Sequence, residues 1–436
     1  MSDGDQSPLP SVVAHDETVD SGVAAPASVG ATPSSATTPS ATPSSATPSS
    51  ATTPLPTGQK AEPEVSERSA DGLATPTRFR LGNRPPLTGV RALALFTVLT
   101  YHSNFKTLPG AWVALQVFFV LSGFLITAML AGEGQRNGRI NLKGFYARRA
   151  VRLVPPLILT VVLLAIYASF VHVAEASQRL WGDSAAAMFY YADYRQAFGH
   201  APFFGYLAQT WSLSVEEQYY IIWSMLMVAV VAMHRRRLAY GFAIAGLVLS
   251  AADRLWLVYS AQHFDKVVFG RVYYAFDSRA DALFVGCLLG LLAADGHLNQ
   301  WKRWPTRLLT TGAIICAAFM VWILLYAPLF RENLAVWWLP TTTVASAVIL
   351  VYFVICPTGI GSRFVGIGLF VFIGDLSYTV YLVHFPVYLA IGTDSIHGSF
   401  WPTELLRLAI IFAIAIASWF CIEKPLMRWR QRSAAR

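Results

Sequence analysis

Ionisable side chains inside long apolar runs are the residues of this chain most able to do chemistry. A charge within a bilayer is costly, so such a residue is by default a functional candidate. Arg91 and His102 stand eleven residues apart in one apolar stretch. At 100° per residue that spacing returns almost to the same helix face, with a rise of roughly 16 Å. Arg91 could then hold an anionic group part-way across a membrane. His102 would sit near the far end. In the plainer reading, Arg91 snorkels to the inner surface and His102 caps its helix, and spacing alone leaves the two level.

A second set is cationic. Arg149 and Arg152, in Phe145-Tyr146-Ala147-Arg148-Arg149-Ala150-Val151-Arg152, lie three apart and share a helix face at the start of an apolar run. Two guanidinium forks there could grip a phosphate or pyrophosphate. The alternative is an ordinary basic anchor touching anionic lipid. Ser377, Tyr381 and His384 recur at i, i+4 and i+7, a hydroxyl and imidazole face that a dry bundle must satisfy internally. For His384, structural hydrogen bonding and function weigh equally. Ser122 and Gly123 are small enough to let helices approach. The four cysteines fall in apolar runs without C-x-x-C or Cys/His spacing, so they read as core residues and no metal site is expected.

The elements that position these residues are membrane helices. Of 436 residues, 55% are hydrophobic and 13% charged, against roughly a quarter charged in a soluble domain. One aqueous core cannot hide that much apolar surface, whereas lipid solvates it. The pattern predicts an all-α, polytopic transmembrane helical bundle. Spans are expected near 87–104, 111–131, 153–173, 216–233, 238–259, 280–294, 308–328, 337–355, 369–390 and 404–422. The 280–294 run is short and could begin further upstream. Residues 183–207, aromatic but interrupted by Asp193, Arg195, Gly199, His200 and Pro202, are either an eleventh span or a helix against the bundle.

Residues 1–78 form a separate segment ahead of the membrane domain at 79–430. The first 77 residues hold nine carboxylates, two cations and no Phe, Tyr or Trp, with near-repeats of Ala-Thr-Pro-Ser-Ser. Such a composition cannot offset its ordering entropy, so a disordered tail is expected, and it lacks the basic start and apolar stretch of a signal peptide. The whole chain carries +8. The cations cluster in alternate loops, a topology signal rather than a nucleic-acid footprint. Ten spans in the plasma membrane with both termini cytoplasmic satisfy every basic loop.

Together the motifs resemble the acyltransferase-3 family of membrane O-acyltransferases. In order they are Arg-x10-His, Phe-Phe-x-Leu-Ser-Gly-Phe-Leu-Ile, Tyr-x-Arg-Arg-x-x-Arg, Trp-Ser-Leu-x-x-Glu-x-x-x-Tyr, Arg-x-Asp, Ser-Tyr-x-x-Tyr-Leu-x-His-x-Pro and Ile422-Glu423-Lys424-Pro425, spanning roughly 85–425. Each is weak alone; seven in order is a strong signal. Gln116 stands where the family commonly has an Asp before its Phe-Phe motif, so no fixed negative charge is expected there. No lipase-like SGNH domain, present in many bacterial members, is read after the membrane part.

The resemblance implies transfer of an acetyl or other short acyl group from acyl-CoA to a hydroxyl of a glycan, glycolipid or glycosylated natural product. It makes His102 the general base, with Arg91 orienting it or the donor. Arg149 and Arg152 would hold the CoA phosphates on the cytoplasmic side. Glu216, Arg279, Asp281 and His384 become candidate pocket residues without assigned roles. An acyl-histidine at His102 is the alternative to direct transfer. The rival function is a transporter of a glycan or lipid, though the inverted repeats of many transporters are not visible.

Overall fold

The structure is a computed structural model and describes residues 84–104, 108–171, 174–199, 205–298, 306–392 and 399–435. The expected disordered tail lies outside the described residues. Among them the chain is helical and contains no strand. The helices are α1 Pro85–Ser103, α2 Val113–Asn137, α3 Leu142–Val171, α4 Ala174–Met188, α5 Ala192–Phe198, α6 Trp211–Ala232, α7 Arg237–Ser260 and α8 Lys266–Tyr274. They continue as α9 Phe276–Arg279, α10 Asp281–Ala294, α11 Thr306–Tyr326, α12 Leu339–Ile355, α13 Ile360–Val365, α14 Gly368–Ala390, α15 Phe400–Ser418 and α16 Lys424–Ala435.

A helix stands at each of the ten expected spans. Eight are long and apolar enough to cross a membrane. The other two are α1, whose apolar run is diluted by Arg, His, Gly and Thr, and α10, which has 14 residues. At 1.5 Å per residue α10 is too short to cross a hydrocarbon core by itself. It does not extend upstream, because α9 precedes it as a separate turn. A short helix is tolerated at membrane depth where protein surrounds it, and α10 packs against α2, α7 and α12. The 183–207 stretch gives no single long span. It holds the end of α4, with 15 residues, and α5, with 7.

The α2–α10 pair forms the centre of the bundle. A Cβ at Gly123 would collide with the carbonyl of Leu283, and one at Gly286 with the carbonyl of Val120 and the amide of Phe124. The backbones therefore touch, as the small Ser122-Gly123 pair suggested. Large apolar side chains such as Phe170, Leu249 and Trp256 are exposed on outer helices, where lipid would cover them.

Helix α14 carries a proline at a telling position. Pro386 has no N–H for the Leu382 carbonyl four residues back. That carbonyl instead accepts from the Gln209 amide at 2.8 Å, docking the start of α6 onto α14. Farther along, Glu423 accepts from the Thr379 hydroxyl at 2.7 Å and from Ser418 at 2.9 Å. This contact ties the Ile-Glu-Lys-Pro segment, itself helical, to the same helix.

Candidate functional site

Two cavities lie along α1. The first, of about 560 Å³, is bounded on that helix by Arg91; the second, of about 400 Å³, by Val98, Tyr101 and His102. Helix α14 runs past both, with Ser377 and Tyr378 in the first, Phe385 in the second and Tyr381 in each. On α2, Leu115 also faces both.

The first cavity is cationic. Arg91, Arg136, Arg148, Arg149 and Arg152 line it with only two carboxylates, Glu216 and Glu217. These arginines are not equivalent. Arg149 donates to Glu217 at 2.6 Å and stacks over the Tyr220 ring, 3.6 Å from its centroid. Arg148 lies 3.9 Å from Glu133. Among the described residues, Arg91, Arg136 and Arg152 make no ion pair within 4.0 Å. The buried Nε atoms of Arg91 and Arg149 have no hydrogen-bond partner among the described residues. Glu216 accepts from the Tyr220 hydroxyl at 2.6 Å and from Ser122 at 3.0 Å. Such a cavity can take a polyanion, since its cations outnumber its carboxylates and are only partly neutralised.

The second cavity is aromatic, with Trp112, Trp211, Tyr273, Tyr274, Phe330 and Phe385 around His102, Gln196 and Gln209. The hydrogen bonds assign the imidazole tautomers. His384 Nδ1 lies 2.6 Å from the Tyr381 carbonyl. A carbonyl only accepts, so Nδ1 carries the proton and Nε2 of the neutral ring is an acceptor. His102 Nδ1 is 3.0 Å from the Val98 carbonyl and 3.3 Å from His384 Nε2. Two acceptors facing one nitrogen put the proton on His102 Nδ1 and the basic lone pair on Nε2.

The cavities divide the expected residues. Arg91, Arg149, Arg152 and Glu216 meet in the first, and His102 lies in the second with His384 buried behind it. Arg91 and His102 thus share a helix but serve different cavities. Arg279 and Asp281 line neither. Arg279 is fully buried between the Phe119 and Tyr273 rings and donates to the Gln116 side-chain Oε1 at 3.0 Å. The Gln116 amide in turn donates to Thr343 and to the Leu339 carbonyl. Asp281 pairs with buried Arg254 at 2.8 Å. Both are buried at the α9–α10 corner, where Arg279 Nε and Nη1 and Asp281 Oδ1 have no hydrogen-bond partner among the described residues.

Sequence reasoning treated Arg136 and Arg148 only as loop cations and did not single out Glu217, Tyr190 or Leu115. No local signal marks Leu115, whereas the crowding of arginines in the first turns of α3 was a usable one. No group of three metal-ligating side chains occurs among the described residues.

These features define a polytopic membrane protein with an arginine-lined cavity and an aromatic cavity holding His102, both along one helix. The model of the Acyltransferase domain, Acyl_transf_3, matches residues 86–424, and the chain belongs to this acyltransferase-3 family. The Peptidoglycan O-acetyltransferase OatA of Listeria monocytogenes is 29% identical over 367 residues, covering 81% of this chain and 57% of the relative. YrhL of Bacillus subtilis, provisionally named a peptidoglycan O-acetyltransferase, is 29% identical over 371 residues, covering 81% and 56%. The chain therefore spans little more than half the length of these relatives. No solved structure matches.

Proposed function

We propose that the protein is a plasma-membrane O-acyltransferase. It takes an acetyl or other short acyl group from acyl-CoA to a hydroxyl of a glycan, glycolipid or glycosylated natural product. The observation that carries this reading is a five-arginine cavity that shares α1 and α14 with an aromatic cavity lined by His102. Acyl-CoA brings several phosphates and a thioester, which suits the arginines, with Arg91, Arg136 and Arg152 outside any ion pair among the described residues. A sugar has apolar ring faces and polar edges, which suits aromatic walls interleaved with amides. The names of the relatives, as O-acetyltransferases, point the same way.

In the proposed reaction, His102 Nε2 accepts the proton of the acceptor hydroxyl as its oxygen attacks the acyl carbonyl. The acyl carbon–sulfur bond breaks, the ester carbon–oxygen bond forms, and the proton passes from His102 to the departing CoA thiolate. His384 Nε2 and the Val98 carbonyl hold the Nδ1 proton throughout and stabilise the imidazolium while it lasts.

The test is CoA release by the purified full-length protein with acetyl-CoA and a panel of glycan acceptors. His102→Ala should insert and retain its KM for acetyl-CoA while kcat falls about 10²–10⁴-fold, the usual worth of general acid–base catalysis. Near-normal turnover in that variant would refute the assignment.

A further inference from the structure

The His102 cavity has two tryptophans in its wall, and they differ in what their N–H groups do. Trp112 donates to the Ala327 carbonyl at 2.9 Å. The Trp211 Nε1 makes no hydrogen bond among the described residues, nor does the hydroxyl of Tyr273 beside it. Trp211 and Tyr273 are only 6% and 4% exposed. Their polar atoms are nonetheless not sealed, unlike the Nε1 of Trp223. The open space that both side chains border is the cavity itself. A few polar atoms placed among aromatic walls are what fix the orientation of a bound ligand.

Both rings are held from behind. Their centroids lie 5.1 Å apart, and Phe119 stands edge-on to Trp211 at 6.4 Å. The buried Arg279 guanidinium lies over Phe119 and Tyr273, 5.5 and 5.0 Å from their centroids, and so holds both neighbours of Trp211. The backbone around Trp211 is tied as well. Gln209 gives its amide N–H to the Leu382 carbonyl that Pro386 leaves free, and its own carbonyl accepts from the Tyr381 hydroxyl, each at 2.8 Å. Ser212 Oγ lies 2.6 Å from that hydroxyl. Tyr381 and Leu382 stand just before His384, which faces His102. The indole is thereby registered against the histidine pair.

We infer that Trp211 and Tyr273 select the acceptor: the indole N–H and the phenol hydroxyl hydrogen-bond to hydroxyls of a sugar ring other than the one that faces His102. The inference rests on the proposed function for the nature of the acceptor and deepens it by naming the residues that recognise it. A lone alcohol satisfies His102 only. A sugar ring brings further hydroxyls to the same cavity, which at about 400 Å³ suits a ring of that kind rather than a long glycan. A site built to hydrogen-bond a hydroxyl discriminates against the analogue that lacks it, because the site's own polar groups then go unpaired.

The experiment uses the full chain in lipid nanodiscs. The probes are the methyl glycosides of glucose, galactose, mannose and N-acetylglucosamine, their monodeoxy analogues, and cyclohexylmethanol as an alcohol with one hydroxyl. One readout is glycoside binding by saturation-transfer NMR, which needs no acyl chemistry. The other is acceptor kcat/KM in CoA release from acetyl-CoA. Trp211→Phe and Tyr273→Phe each remove one polar atom and keep an aromatic ring. Trp223→Phe, buried and bordering neither cavity, controls for the loss of an indole. In each of the first two variants, kcat/KM for the best glycoside should fall about 5–100-fold, the scale of a polar group left unpaired. The KM for acetyl-CoA and the rate with cyclohexylmethanol should not move, and Trp223→Phe should leave the glycoside-to-alcohol ratio unchanged. One monodeoxy analogue should serve variant and wild type equally, which identifies the hydroxyl that is read. Equal falls for glycoside and cyclohexylmethanol would overturn the inference. So would wild-type handling of glycosides by both folded variants, or a wild type that binds none of them. Weaker glycoside binding in the variants of a protein that releases no CoA would instead refute the proposed transfer and leave the sugar site standing.

Discussion

A guanidinium already bound to a carboxylate has less to offer a phosphate than one that is not. Arg149 gives one edge to Glu217 and one face to Tyr220, whereas Arg152 lines the same cavity without an ion pair among the described residues. Arg152→Gln should therefore raise the KM for acetyl-CoA about 10-fold or more, the loss of a charge-assisted contact of roughly 1.5–3 kcal/mol, with little change in melting temperature. Arg149→Gln should lower the melting temperature as well, because it strands Glu217. Adding Glu217→Gln should restore stability but not donor affinity. A donor KM unchanged in Arg152→Gln would leave that arginine as a lipid anchor. The histidine pair makes a separate demand. A glutamine carbonyl can still accept from His102 Nδ1, so His384→Gln should retain more kcat than His384→Leu at equal expression and equal donor KM. Equal losses in the two would make His384 a packing residue.

At the scale of the element, the small residues of α2 and α10 carry the bundle. Gly286→Ala places a methyl against backbone that cannot retreat, so it should cost about 1–3 kcal/mol or more and depress the melting temperature in detergent. Gly241→Ala on α7, where a Cβ meets nothing within 4 Å, is the matched control and should be near neutral or slightly stabilising. The helices themselves were legible in the sequence, since span length and apolarity are local properties. So was the close approach at Ser122-Gly123. The limits of α10 were not, because a 14-residue apolar helix is permitted only by neighbours from elsewhere in the chain. The role of Pro386 was likewise hidden. A proline shows which N–H is missing, and only packing shows that Gln209 takes the freed carbonyl.

At the scale of the whole molecule, the alternation of basic loops leads us to propose that both termini lie in the cytoplasm, which would turn the arginine cavity toward that side. A reporter fused after Arg436 should be active only as a cytoplasmic fusion, and activity on the outer side would reverse the orientation. Deletion of residues 1–75 should leave acyl transfer intact, because that composition offers no apolar surface to pack. Loss of activity in a well-inserted truncation would assign the segment a function.

The sequence by itself determined the membrane class, the helices and the motif order that marks the family, because hydropathy and spacing are written along the chain. It also nominated Arg91, His102, Arg149, Arg152, Glu216 and His384 for chemistry. Only the tertiary structure decided how they group. Arg91 and His102 face different cavities although one helix carries both. His384 meets His102 across 282 residues, Arg149 is engaged by Glu217 across 68, and Arg279 and Asp281 are buried away from both cavities. The physical reason is that helix formation is settled by neighbours within a few residues. A cavity is settled by which faces of distant helices close-pack, and by which polar groups that packing must satisfy.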